Sequence, residues 1–99
     1  MPDDEQNPRM DSALRWDQVD LPSPLTVADF DCVILSTLGE HWRKVAAIVI
    51  RVVEKYKHIN STITFEMVAA RLQALSDADL IEAQGDLRKW RFSEVRIKG

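Results

Sequence analysis

The stretch "DADLIEAQGDLRKWRFSEVRI", residues 77–97, decides the fold that the sequence predicts. It leaves a helical segment, and Gly85-Asp86 supply a turn between two runs that have the character of strands. Side chains alternate between the two faces of a strand, so Trp90 and Phe92 are predicted to share its inward face. The stretch therefore predicts a β-hairpin over residues 81–92 that closes a small core.

The alternation of apolar residues changes further along the same stretch. Val95 and Ile97 lie one residue out of step with Trp90 and Phe92. A bulge or bend inserts one residue into a strand and shifts which side chains face inward. A bend near residues 93–94 is the expected cause.

Three amphipathic segments precede the hairpin. Thr26 and Asp29 have the spacing of a capping box before a helix over 27–38. Apolar periodicity predicts a second helix over 41–57, and Thr64 caps a third over 65–75. With a short extended piece at Ile63, this is the element order of a winged helix-turn-helix-like domain, mainly α (α+β). A plain three-helix bundle with a terminal hairpin is the alternative.

The inward faces of these elements predict one core. Apolar residues recur at helical spacing on each of the three helices, and the hairpin adds one more. Truncating a residue in the middle of such a core costs about 2–5 kcal/mol of stability. The predicted core residues are Phe30, Val33, Ile34, Leu38, Trp42, Val45, Val49, Val53, Phe65, Val68, Leu72, Leu75 and Phe92.

Composition and charge divide the chain into a leader, an arm and one domain. The 99 residues suffice for a single core, and the formal charge is −3. Six acids against two bases give residues 1–24 a net −4, and ten acids against eleven bases give 25–99 a net +1. Residues 1–9 are predicted to be disordered, residues 10–24 to form an N-terminal arm, and residues 25–99 to form the winged-helix-like domain.

The arm contains apolar side chains at Leu14, Trp16 and Leu21, too many for a free tail. Leaving them in water would forgo roughly 25 cal/mol for each Å² of apolar surface. Two interpretations fit these residues. The arm packs on the body of its own chain, or it docks on a second copy and makes a homodimer.

No catalytic, metal or cofactor site is predicted. Cys32 with His41 or His58 is the only conceivable pair of nucleophile and base, and nothing supplies a third group to orient it. These residues match no metal-ligand spacing, and three glycines cannot build a phosphate loop. Without a catalytic pair or a ligand site, the sequence predicts a protein that is not an enzyme. One cysteine and the lack of a signal pattern or a membrane-spanning run predict that it is cytoplasmic.

The third helix and the hairpin would supply any contacts to nucleic acid, with Gln73 as the one plausible reader of adenine. Arg71 lies at the flank of the helix. The alternative to a functional role for this residue is a surface ion pair with Asp77 or Glu66. The outward positions predicted for the helix are Glu66, Met67, Ala70, Gln73 and Ala74. The candidate contacts to a partner or to nucleic acid are Arg71, Gln73, Arg88, Lys89 and Arg91.

The carboxy-terminal part of the chain, "RLQALSDADLIEAQGDLRKWRFSEVRI", resembles a small bacterial family known only as a domain of unknown function. The resemblance covers roughly residues 28–98 and is sharpest at Arg71-Leu72, Leu75, 82–86 and 93–96. It implies a winged-helix-like fold and a bacterial origin, often as the C-terminal domain of longer uncharacterised proteins, and it implies no activity. Winged helices usually have glycine where helix three meets the strand, whereas this chain has Asp79, which tolerates a left-handed backbone better than most residues.

Two functions therefore remain open. The first is a non-catalytic protein-interaction module whose partner is another protein or a second copy of the chain. The second is a winged-helix DNA-binding regulator or accessory protein. The charge balance and the weakly basic face of helix three disfavour DNA, because phosphate contacts require Lys or Arg.

Overall fold

A computed structural model of the chain describes residues 13–60 and 62–98. The predictions for residues 1–9 and for the start of the arm, residues 10–12, lie outside the described residues. The regular elements are α1 (Val27–Thr37), β1 (Arg43–Lys44), α2 (Val45–Tyr56), α3 (Phe65–Asp77), β2 (Ile81–Gln84) and β3 (Glu94–Ile97). Within residues 13–60 and 62–98, two 3-10 turns accompany them, the arm turn (Trp16–Gln18) and the wing turn (Trp90–Phe92). The domain is a winged helix-turn-helix-like α+β fold, as predicted.

Helices α1 and α3 begin at side-chain caps that the sequence predicted. The Thr26 hydroxyl accepts from the Asp29 backbone N–H at 3.1 Å, and the Asp29 carboxylate accepts from the Thr26 N–H at 3.3 Å. The Thr64 hydroxyl accepts from the Met67 N–H at 3.2 Å and caps α3. Each cap satisfies a backbone donor that has no partner inside the helix.

The end of α3 is a left-handed turn at Asp79, whose φ is 61°. The Leu80 N–H donates to the Leu75 carbonyl at 2.9 Å, and the Asp79 N–H donates to the Ser76 carbonyl at 2.9 Å. These two bonds close a Schellman motif. The prediction that Asp79 takes the position usually held by glycine is confirmed.

The sheet contains a strand that the sequence pattern did not reveal. β1 lies between α1 and α2, and the antiparallel strand order is β1-β3-β2. The prediction of a helix from residue 41 is wrong, because α2 begins at Val45. Ile63, between α2 and α3, is buried and lies outside the strands. The Val45 N–H donates to the Ser93 carbonyl at 3.0 Å, so sheet pairing replaces the first turn of the predicted helix.

One core lies between the helices and the sheet. Eight of the predicted core residues are buried, while Val33, Trp42 and Val53 are only partly buried. Phe65 and Phe92 were predicted wrongly, because 40% and 76% of their surfaces are exposed. Trp90, predicted on the inward face of the hairpin, is buried, and so is Tyr56, which the apolar stripe of the second helix predicts as core. Further buried apolar residues outside the predicted set are Ile48, Val52, Ile63, Ala69, Ala70, Ile81, Leu87 and Val95.

None of the helices in residues 13–60 and 62–98 has both the length and the apolar character needed to cross a membrane.

Candidate functional site

The wing, residues 85–93, connects β2 to β3 and carries two aromatic residues with opposite environments. Trp90 is 1% exposed and packs edge-on against Phe65 of α3, with 6.4 Å between ring centroids. Phe92 is 76% exposed. The predicted common inward face is wrong because residues 90–92 form a 3-10 turn with about three residues per turn, in which side chains two apart diverge. The same 3-10 turn explains why the apolar residues Val95 and Ile97 lie one residue out of step with Trp90 and Phe92.

The entry to the wing requires glycine. Gly85 has a φ of +82°, and a Cβ atom there would lie 2.5 Å from the Phe92 carbonyl oxygen. Asp86 then accepts from the Arg88 backbone N–H at 3.0 Å. This hydrogen bond, followed by the positive charge of Arg88, holds the pKa of the Asp86 carboxyl below its usual range. The charged form of the Asp86 carboxylate is therefore favoured where it accepts this hydrogen bond in the turn.

The outer side of the wing is basic. Lys89 and Arg91 are exposed, and so is Arg88, whose Nε lies 3.5 Å from the Asp86 carboxylate. Ion pairs this exposed contribute little, about 0–1 kcal/mol. Three bases and the Phe92 ring thus lie within five residues on an accessible loop.

The outward face of α3 is covered by the chain's own arm. Ala70 is only 2% exposed although it lies outside the main core cluster, and Gln73 and Ala74 are half-buried. The arm turn packs against α3. The prediction that these positions face outward is wrong for Ala70, which is buried, and for Met67, which packs against the core. Gln73 and Ala74 line the cleft beside the arm.

Trp16 anchors the arm. Its ring stacks on Phe30 of α1, with 6.0 Å between centroids and 12° between planes, and the Arg71 guanidinium lies 4.7 Å from the Trp16 centroid. Leu21 also packs against the core of the same chain, and Leu14 is half-buried. These are the three side chains that the sequence offered for self-association, and in this structure Trp16 and Leu21 contact their own domain.

Arg71 has a different partner from those predicted. Its Nε and Nη2 donate to the two carboxylate oxygens of Asp31 at 2.6 and 2.7 Å, and their side chains are 15% and 22% exposed. The predicted surface pair with Asp77 or Glu66 is wrong. Asp77 instead accepts from the Gln73 amide at 2.9 Å. No local spacing could have revealed Asp31, because it lies 40 residues earlier on another helix.

The arm and α3 leave a cleft between them of about 430 Å³. Residues at helical spacing along one face of α3 line the cleft, and Arg88 of the wing lines it as well. We call this surface, together with the Trp16 position, the α3 groove. The residues that line the cleft are Ala13, Leu14, Arg15, Trp16, Asp17, Ala70, Gln73, Ala74, Asp77 and Arg88.

The three residues considered for chemistry are Cys32 in α1, His41 beside β1 and His58 after α2, and all are exposed. Among residues 13–60 and 62–98, no three His, Cys, Asp or Glu side chains are grouped so that they could hold a metal ion.

Comparison with known proteins identified no relative. No family model matches the chain, no curated protein matches it, and no solved structure matches its fold.

Proposed function

We propose that the protein is a non-catalytic, winged-helix-like module that binds other proteins. The observation that carries the proposal is the covered face of α3. In a DNA-binding winged helix this face would enter the major groove. Here the arm lies across it and Ala70 is buried beneath.

The charges of α3 support the same conclusion. Arg71 is the only basic residue of the helix, and Asp31 occupies the Nε–Nη2 edge of its guanidinium, which could otherwise meet a phosphate. Gln73, the predicted reader of adenine, donates to Asp77. Glu66 and Asp77 leave the helix surface acidic on balance. Affinity for DNA depends on basic contacts to the phosphates, which this face does not offer.

The proposal extends to the setting of the protein. A single cysteine suits a reducing cytoplasm. Membership of the bacterial domain family rests on the resemblance at Arg71-Leu72, Leu75, 82–86 and 93–96 alone. The module acts without a cofactor, and it binds rather than transforms its partner.

DNA binding through the wing is the second candidate function. The observation in its favour is the exposed group formed by Lys89, Arg91 and Phe92. Basic side chains neutralise phosphates, and an apolar ring can enter between base steps in a minor groove. This mode would need no contact from α3.

A salt titration of duplex-DNA affinity tests the choice between the two. We expect the wild-type chain to bind random duplexes no more tightly than about 10⁻⁴–10⁻⁶ M at physiological salt. The matched variant is Arg88→Glu, Lys89→Glu, Arg91→Glu, which should keep its fold to within about 1 kcal/mol because the charges are exposed. Nanomolar binding to a selected duplex, with a steep salt slope that the triple variant flattens, would reject the protein-interaction proposal in favour of DNA.

A further inference from the structure

The body of the domain holds a slot for a planar aromatic ring, and the slot does not depend on the arm. Its walls are Phe30 of α1 and the guanidinium of Arg71 on α3. Asp31 fixes that guanidinium through two hydrogen bonds, and all three residues belong to the helices. A bidentate arginine has little freedom left, so the Arg71 guanidinium is held by Asp31 and not only by its contact with the ring.

Trp16 makes the arm's contact with the slot, and Leu21 packs against the core beside it. No residue of the arm turn is buried, and Ala13, Arg15, Asp17 and Gln18 are exposed. The turn's own hydrogen bonds run within the arm, from the Gln18 N–H to the Arg15 carbonyl and from the Val19 N–H to the Trp16 carbonyl. Beside the ring lies the cleft of about 430 Å³, so the rest of the contact is loosely packed. Residues 13–24 include no fully buried side chain, and such a segment can open locally without unfolding the domain.

We propose that the α3 groove is a docking site for an extended segment of a partner protein that presents a tryptophan, and that the arm is its intramolecular competitor. This inference rests on the proposed protein-binding function and names the partner's chemistry. The partner's indole occupies the slot between Arg71 and Phe30, where a cation and an apolar ring favour a large electron-rich aromatic. Its flanking residues fill the cleft over Ala70 and Ala74.

Competition by the arm sets the concentration that a partner segment must reach before it binds. A segment tethered by a short linker acts at an effective concentration on the order of millimolar. A free peptide with the same contacts is therefore excluded from the intact chain until its concentration approaches that range. Removing the Trp16 ring should lower this threshold and leave Phe30, Asp31 and Arg71 in place.

The test uses full-length chains and a labelled peptide with the sequence of residues 10–24, followed by fluorescence anisotropy. The receptor is Trp16→Ala, whose slot is empty. We expect it to bind the peptide at least tenfold more tightly than the wild-type chain does. The same peptide with Trp16→Ala should bind at least tenfold more weakly to the Trp16→Ala receptor.

Two further receptors separate the slot from its surroundings. Adding Arg71→Met to the Trp16→Ala chain removes the cationic wall and should abolish tight peptide binding. Adding Lys89→Glu changes the charge of the wing outside the slot and should leave binding within about twofold, since exposed charges at a distance are screened. Circular dichroism of every receptor checks that its helices are intact. Equal peptide affinity for the wild-type and Trp16→Ala chains, or no binding to a folded Trp16→Ala chain, would overturn the inference.

Hydrogen exchange on the unaltered chain gives an independent measure. Amides of residues 14–19 should exchange faster than the core amides of α3, because the arm opens locally. Exchange of the arm only together with α3 would overturn the inference. A wild-type dimer at tens of micromolar that the peptide dissociates would also overturn it, by making a second copy the occupant. All these outcomes are distinct from nanomolar DNA binding, which would reject the proposed function itself.

Discussion

The wing and the arm both lie against α3, but they are held in different ways. The wing is bounded by β2 and β3 and buries Leu87 and Trp90 in the core. The arm precedes α1, and its Trp16 ring is half-buried and packs on the core from outside. A segment that buries side chains in the core between two paired strands opens only at the cost of that core, whereas a segment without a fully buried side chain can open locally. The comparison predicts that the wing contributes more to the stability of the domain than residues 13–24 of the arm do.

The largest expected effect comes from the buried tryptophan of the wing. Trp90→Ala should destabilise the domain by about 3–5 kcal/mol through lost burial and a residual cavity. Phe92→Ala is the matched control two residues away, and with 76% of its surface exposed it should change stability by about 0.5 kcal/mol or less. Urea denaturation of the two variants measures the difference. Similar losses for both would contradict the assignment of Trp90 alone to the core.

A smaller loss of stability is expected at Gly85, where the chain enters the wing. Gly85→Ala should cost roughly 2–4 kcal/mol, because a Cβ atom would press on the Phe92 carbonyl and φ is +82°. Gly39→Ala is its control, since a Cβ atom there meets only the Arg43 side chain at the ordinary distance of 3.5 Å. Thermal unfolding of both variants is the measurement. A Gly39 variant as unstable as the Gly85 variant would show that the wing is not specially constrained.

Substitutions in the arm should cost less stability than substitutions in the wing. Trp16→Ala should cost about 1–2 kcal/mol, because the ring is half-buried and stacked rather than enclosed. Arg15→Ala, at the exposed neighbouring position, should have almost no effect. The discriminating measurement is hydrogen exchange: Trp16→Ala should speed exchange in the arm while the amides of α3 stay protected. Loss of protection throughout α3 would make the arm part of the folding unit.

Features determined by neighbouring residues were predictable from the sequence. The capping box at Thr26 and Asp29, the cap at Thr64 and the left-handed turn at Asp79 depend on residues within a few positions of each other. Helical spacing also placed most of the core on the correct faces. These features depend on local backbone geometry, and a single sequence carries that information directly.

Features determined by distant pairing were not predictable in the same way. β1 has two residues, and only its partner β3, some fifty positions later, makes it a strand. The sequence around the 3-10 turn at Trp90–Phe92 alternates basic and aromatic residues, a pattern that is also typical of a strand. Within the site, Lys89 and Arg91 were placed correctly at the surface. The link from Arg71 to Asp31 and Trp16 joins three separate segments, and no spacing rule connects them.

The smallest expected effect lies at the junction between α3 and the sheet, where Asp79 is left-handed. Replacing it with glycine removes backbone strain of about 1–2 kcal/mol. The same change adds freedom to the unfolded chain, about 0.4–1 kcal/mol, and deletes the exposed ion pair with Lys98, about 0–1 kcal/mol. The opposing contributions nearly cancel, so Asp79→Gly should change stability by about 1 kcal/mol or less.

Two further substitutions at Asp79 separate these contributions. Asp79→Asn keeps a residue that tolerates the left-handed region and removes only the charge, so it reports the ion pair with Lys98. Asp79→Ala keeps the strain and loses the side chain, and it should be the least stable, by about 1 kcal/mol relative to Asn. Chemical denaturation should therefore rank Gly and Asn above Ala. If Ala is as stable as Gly, the left-handed turn is not what limits stability at this junction, and the wing's attachment to α3 depends on the sheet alone.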